Sequence, residues 1–223
     1  MDHRRVMSGM IGVAAGVLGA LSAVVLLAWP PQVSEELLSY PLTVNGFYVA
    51  QTWFFVHHLG LVVAMVGLIR SGALGVGRIG RLGAWLAVAG MVALTLTELL
   101  AMRYAAWDND AANAGVLGTS YGISVTAVGV GMIVAGLVTV RARVWVSWSR
   151  WTPLAIGVAA FAIVTPAMFG GFVIARLGIG FWMLLFAALG VALLTHGGRA
   201  LTTPAPSSSA SASPSPSPSA STV

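Results

Sequence analysis

Cysteine is absent from this 223-residue chain, and so is lysine: all eleven basic residues are arginine. The first absence excludes disulfides, thiolate metal sites, c-type haem attachment and cysteine nucleophiles. The second, together with richness in Ala, Gly and Val, points to a GC-rich coding sequence, and a bacterium is the expected source. Charge of either sign is scarce. Charged residues make up 8% of the chain, against roughly a quarter in soluble domains. A water-soluble fold of this length could not cover its surface with so few. Apolar residues reach 58%, and lipid is the solvent that suits them.

A helix needs about 20 apolar residues to cross roughly 30 Å of hydrocarbon. Six segments meet that length, at about 7–29, 49–69, 82–102, 119–140, 153–169 and 172–195. The expected fold is therefore all-α, a polytopic membrane helix bundle with six transmembrane helices. The stretch from Pro153 to Thr195 is too long for one span and should turn near Pro166, Gly170 and Gly171. The first segment follows Arg4 and Arg5, a basic n-region like that of a signal peptide. Its apolar run is longer than a secretory h-region and ends in Trp29-Pro30-Pro31 without a small-x-small cleavage site. It reads as a retained helix.

Arginine placement orients the bundle. Arg4 and Arg5 precede the first span, Arg70, Arg78 and Arg81 lie between the second and third, Arg141, Arg143 and Arg150 between the fourth and fifth, and Arg199 after the sixth. With six spans all of these fall on one side, which the positive-inside rule makes cytoplasmic, an N-in/C-in arrangement. Glu35, Glu36, Asp108 and Asp110 fall on the other. The expected location is the plasma membrane of a bacterium, multi-pass, with the lipid bilayer as first partner. The net charge of +5 is thereby spent on topology. No basic patch with interleaved aromatics is present, so nucleic acid is not an expected partner. Trp29, Trp53, Trp107, Trp145, Trp148 and Trp151 lie near span ends, as interfacial anchors should. Residues 201–223 are rich in Ser, Pro and Ala. Such a composition cannot build a core and is expected to be disordered.

Ser8, Gly12, Gly16 and Ala20 recur at four-residue spacing in the first span, as do Ala127, Gly131 and Ala135 in the fourth. Small residues so spaced let helix backbones approach closely. Packing within the bundle is the preferred reading; a homo-oligomer or a membrane-protein partner is the other use. No internal repeat supports an inverted-repeat transporter fold.

Ionisable groups inside a span are costly and are functional candidates by default. His57 and His58 lie in the second span, Glu98 in the third and Arg176 in the sixth. At 1.5 Å per residue, these lie about 12 Å (His57), about 8 Å (Glu98) and about 6 Å (Arg176) below the outer boundary. Gln51, Thr95, Thr97, Ser124 and Thr126 fall in the same half, while the cytoplasmic halves are almost purely aliphatic. A polar pocket open toward the outside is the expectation. The two histidines point about 100° apart. His57 shares a face with Gly60, Ala64 and Gly67, and His58 with Gln51. Glu98 should point into the bundle, within reach of His57, His58 or Arg176, and the preferred reading is a packing device in which His57 or Arg176 neutralises it, with a binding or proton-handling site as the other.

Several chemistries fit poorly. A bis-histidine haem needs histidines on two helices at one depth, but His196 lies at the far end of the sixth span and His3 precedes the first. His57 or His58 with Glu98 offers few metal ligands and no H-E-x-x-H motif. Gly118-Thr119-Ser120-Tyr121-Gly122 matches G-x-S-x-G, and a Gly-x-Ser on the fourth of six helices resembles rhomboid-type intramembrane proteases. That resemblance covers only this short motif. It would imply a histidine beside Ser120 on the sixth helix, whereas His196 lies at the opposite face, so ordinary helix entry is the preferred reading. The expectation is a non-enzymatic integral membrane protein: a small transporter-like, sensor or accessory subunit, its cofactor, if any, unknown. An intramembrane enzyme or a redox or metal-binding protein using His57 or His58 with Glu98 is the alternative.

Overall fold

In the computed structural model, described over residues 3–108 and 112–197, six helices are long and apolar enough to cross a membrane. They are α1 (His3–Ala28), α2 (Val44–Arg70), α3 (Arg78–Ala101), α4 (Ala112–Ala142), α5 (Ser147–Ala167) and α6 (Gly171–Gly197). No strand occurs among the described residues. The chain is an all-helical, multi-pass membrane bundle, as expected. Asp110, Arg199 and the 201–223 segment lie outside the described residues. The face bearing His3 and the end of α6 is called the terminal face below, and the other the distal face.

Helices adjacent in sequence are adjacent in space, and α6 returns against α1 to close the ring. Between lipid-solvated helices no hydrophobic force drives association, so close van der Waals packing must hold the ring together. The small residues provide it. A Cβ on Gly16 would overlap the backbone of Ala187, and one on Gly190 the backbone of Val13. Gly12 abuts Ala64 of α2, and Gly67 abuts Ser8. Gly131 of α4 lies against Ala87 of α3, and Gly136 against Leu154 of α5. The four-residue spacing is therefore used inside one chain, and α1 is packed into the bundle on both sides.

The α5–α6 hairpin turns where Pro166 and the paired glycines place it. Gly171 adopts φ +80°, a left-handed conformation that only glycine enters without steric cost. The sequence did not reveal a π-helical turn at Ala160–Val164 in α5. Pro166 cannot donate to the carbonyl four residues back, and its ring clashes with it. The wider turn relieves that clash. Thr165 stabilises it by donating its hydroxyl to the Ala160 carbonyl at 2.8 Å, and the buried Trp182 of α6 donates its indole N–H to the Ile156 carbonyl at 3.0 Å.

The tryptophan expectation needs one correction. Trp29, Trp53, Trp107, Trp148 and Trp151 are exposed, as interfacial anchors should be, but Trp145 is 2% exposed. Arg143, at φ 53°, turns the chain sharply after α4. Trp145 then folds under the end of α6 and stacks on His196, centroids 5.4 Å apart and planes within 8°.

On the distal face the loops interlock. The α1–α2 loop pairs with the α3–α4 loop through a bridge between Leu37 and Asp108, and Leu38 donates its N–H to the Trp107 carbonyl at 3.1 Å. The Tyr40 ring packs edge-on against Phe172 at the start of α6, centroids 5.0 Å apart. Thr43 caps α2, its hydroxyl accepting from the Gly46 N–H at 3.2 Å.

Candidate functional site

The ionisable residues expected in one membrane half do converge with Gln51, and with one addition. Gln51, His57, His58 and Glu98 are all buried, between 4% and 6% exposed. The Glu98 carboxylate, on α3, points into the bundle toward α2 and α4. Its Oε2 accepts a hydrogen bond from the Tyr121 hydroxyl of α4 at 2.8 Å. Its Oε1 lies 3.5 Å from Nδ1 of His58, close enough for charge attraction but without hydrogen-bond geometry. Gln51, two turns from His58 on the same face of α2, also reaches the Tyr121 hydroxyl. Arg176 on α6 is half-buried, its guanidinium 5.2 Å from the Phe172 ring centroid. It lies near enough to Glu98 and Tyr121 for their charges to interact. Four helices thus contribute to one cluster.

The division of labour between the histidines differs from the packing reading, in which His57 or Arg176 neutralises Glu98. His58 makes that approach. His57 instead faces the small-residue side of the bundle, where a side chain on Gly19 of α1 would meet its ring. The two rings remain in contact, centroids 4.4 Å apart. Neither Nδ1 has a hydrogen-bond partner. Sequence reasoning missed Tyr121, noticed there only as part of G-x-S-x-G. A signal existed: it is the one tyrosine within an otherwise aliphatic and small-residue span, at the depth of Glu98.

The cluster is enclosed rather than open to the distal side. Leu42, Phe47, Ala101, Ala105 and Leu117 form an apolar layer there, with Leu38, Phe54 and Phe172 packed against it. Tyr121 borders both this layer and the main core toward the terminal face. The polar groups are therefore sandwiched between two apolar layers, and the α1–α2 loop forms part of the roof. Thr95, Thr97 and Ser124 do not join the cluster; their hydroxyls donate to the carbonyls of Met91, Ala93 and Ser120 within their own helices. Thr126 is exposed on the lipid-facing side. Backbone carbonyls satisfy such hydroxyls in apolar surroundings, which is why a polar residue in a span is not by itself a site residue.

Ser120 likewise donates to the Val116 carbonyl at 2.9 Å, while His196 is stacked on Trp145 at the terminal face. The two are at opposite ends of the bundle, and the motif has no catalytic geometry. Among the described residues no three His, Asp or Glu side chains come together as a metal site would require. What the cluster can do is hold and pass protons: a phenol, a carboxyl and an imidazole lie in sequence, with a second imidazole touching the first.

Compared with known proteins, the chain matches no family model, no curated protein and no solved structure.

Proposed function

We propose that this is a non-enzymatic multi-pass protein of a bacterial plasma membrane, a small transporter-like, sensor or accessory subunit whose working element is the Glu98 cluster. The observation that carries the reading is the placement of Glu98. A carboxyl group in the membrane interior must be protonated, paired or solvated, because an isolated charge there costs at least a few kcal/mol. Glu98 is enclosed with Tyr121 and His58, both titratable groups, and with Arg176 nearby as a positive charge. A purely structural polar contact needs one donor and one acceptor. Five titratable side chains on four helices exceed that need. In this reading the apolar layer over the cluster is a closed state, and the α1–α2 loop is what moves to admit water or a small ligand.

The arginines support the orientation in this reading: they crowd the terminal face, which favours termini in the cytoplasm and a cluster in the outer half of the membrane. The test of the site is infrared difference spectroscopy on the full chain in lipid, recorded while pH is stepped. A carboxyl C=O band that titrates in the wild type and vanishes in Glu98→Gln, with the fold intact, is the expected result. A spectrum identical in the two proteins across the whole pH range would reduce Glu98 to packing.

A further inference from the structure

The seam where α1, α2 and α6 meet holds a contact that the Glu98 carboxylate does not use. Gly19 of α1 leaves a notch there. A Cβ at that position would lie 2.9 Å from Sδ of Met183 on α6 and 3.3 Å from Cε1 of His57 on α2. The thioether and the imidazole therefore share one notch, and glycine leaves room for both. Both side chains are enclosed: His57 is 6% exposed and Met183 1%. The His57 ring meets Phe54 edge-on, centroids 5.7 Å apart, and touches His58 at 4.4 Å. Nδ1 of each histidine lacks a hydrogen-bond partner. Buried nitrogens without partners are rare in folded proteins, and two on touching rings call for an explanation.

We infer that His57, His58 and Met183 form a site for one soft monovalent metal ion, Cu(I) being the biological example. The donor set selects the ion. A thioether is a soft ligand, and with imidazole it favours Cu(I) over harder ions, which take carboxylates and water. The geometry of the notch agrees. Cε1 lies between the two ring nitrogens, so a ring that presents Cε1 to the notch has a nitrogen on either side of it, next to the sulfur. Among the described residues no three His, Asp or Glu side chains converge, and a structural zinc site takes four ligands. Two imidazoles and one sulfur are too few for zinc and sufficient for Cu(I). A monovalent ion also brings the least charge into the membrane interior, where charge is costly. The Glu98 carboxylate, 3.5 Å from Nδ1 of His58, stands where a carboxylate orients a metal-ligating histidine through its other nitrogen. The site adjoins the Glu98 cluster through His58 but does not depend on proton exchange there, so the infrared test and the metal test can fail separately.

The test uses the full chain in a neutral detergent, carrying no added histidines. It is titrated under ascorbate with Cu(I) against bicinchoninate, a chelator coloured by Cu(I). One ion per chain should be withdrawn from the chelator. Ag(I) should displace that ion one for one, and excess Zn(II) should not. X-ray absorption at the copper edge should show a sulfur neighbour beside imidazole nitrogens. Met183→Leu, which nearly conserves volume, should lose the sulfur signal and weaken binding about tenfold, while His57→Leu should weaken it at least about a hundredfold, more than the loss of an outer partner costs. His196→Gln, at the far end of α6, and Met65→Leu, a buried methionine away from the notch, should bind as the wild type does. Failure of the wild type to take Cu(I) from the chelator would overturn the proposal, and so would a copper edge without sulfur or displacement by Zn(II). These are read on the wild type and decide the matter even if His57→Leu fails to fold. Unchanged binding in Met183→Leu would also overturn it, reducing the contact at Gly19 to packing.

Discussion

The contact between Tyr121 and Glu98 can be isolated by a double-mutant cycle. Tyr121→Phe deletes the donor while keeping the ring that packs against both apolar layers. Glu98→Met replaces the carboxyl by an apolar chain of similar length. The approach of Glu98 to His58 is lost in both arms that contain Glu98→Met, so it cancels in the coupling energy. Polar side-chain contacts between membrane helices average about 0.6 kcal/mol and reach about 1.7. A hydrogen bond to an ionised carboxylate is worth about 1.5–3 kcal/mol. The distance of 2.8 Å is ordinary for a hydroxyl donor and slightly long for a charge-assisted one. Burial between two apolar layers removes the competition from water. The expected coupling is therefore about 1.5 kcal/mol, slightly above a tenfold change in the unfolding equilibrium. Reversible unfolding in mixed lipid–detergent micelles, followed for the four proteins, measures it. A coupling under about 0.5 kcal/mol would mean that the pair is no stronger than an average membrane contact, and the argument from enclosure would fail. In the same assay Glu98→Gln keeps an acceptor for Tyr121 and should stay within about 1 kcal/mol of wild type. Glu98→Ala, which leaves a void and a donor without its acceptor, should lose about 2–4 kcal/mol.

Gly16→Val should destabilise by about 1–3 kcal/mol or prevent assembly, because the α1–α6 seam has no room for a side chain. Gly122→Val, where a Cβ meets open space, should change stability by no more than about 0.5 kcal/mol in the same unfolding assay. Trp182→Phe removes the indole donor from the Ile156 carbonyl, which keeps the Ala160 N–H, and should cost about 0.5–1.5 kcal/mol. No measurable loss would show that the backbone donor satisfies that carbonyl by itself. A C-terminal reporter active only in an oxidising compartment should stay silent, and clear activity would reverse the orientation and the depth of every site residue.

The helix count, the lengths of the spans and the α5–α6 turn are local properties. They follow from apolar runs matched to the thickness of the hydrocarbon and from where proline and glycine interrupt them, so composition and spacing along the chain determined them. The membrane half holding the polar side chains was legible for the same reason, since depth is simply residues counted from a span end. Which of those side chains meet was decided by tertiary structure. His57 and His58 have the same depth within a residue, and only the rotation of α2 against its neighbours turns His58 to Glu98 and His57 to Gly19. Tyr121 enters the site because α4 is packed against α3 through Gly131 and Ala87. Thr95, Thr97 and Ser124 leave it because their own backbones satisfy them. Enclosure, too, is a tertiary property: the layer over Glu98 is assembled from residues on α2, α3 and α4 with loop residues such as Leu42, far apart in the chain. Trp145 shows the same limit at the other face. Its sequence neighbourhood is that of an interfacial anchor, and one left-handed residue, Arg143, turns it inward onto His196. Rotation about a helix axis and the direction of a loop are set by the sum of many small packing energies between distant segments, and no local pattern encodes that sum.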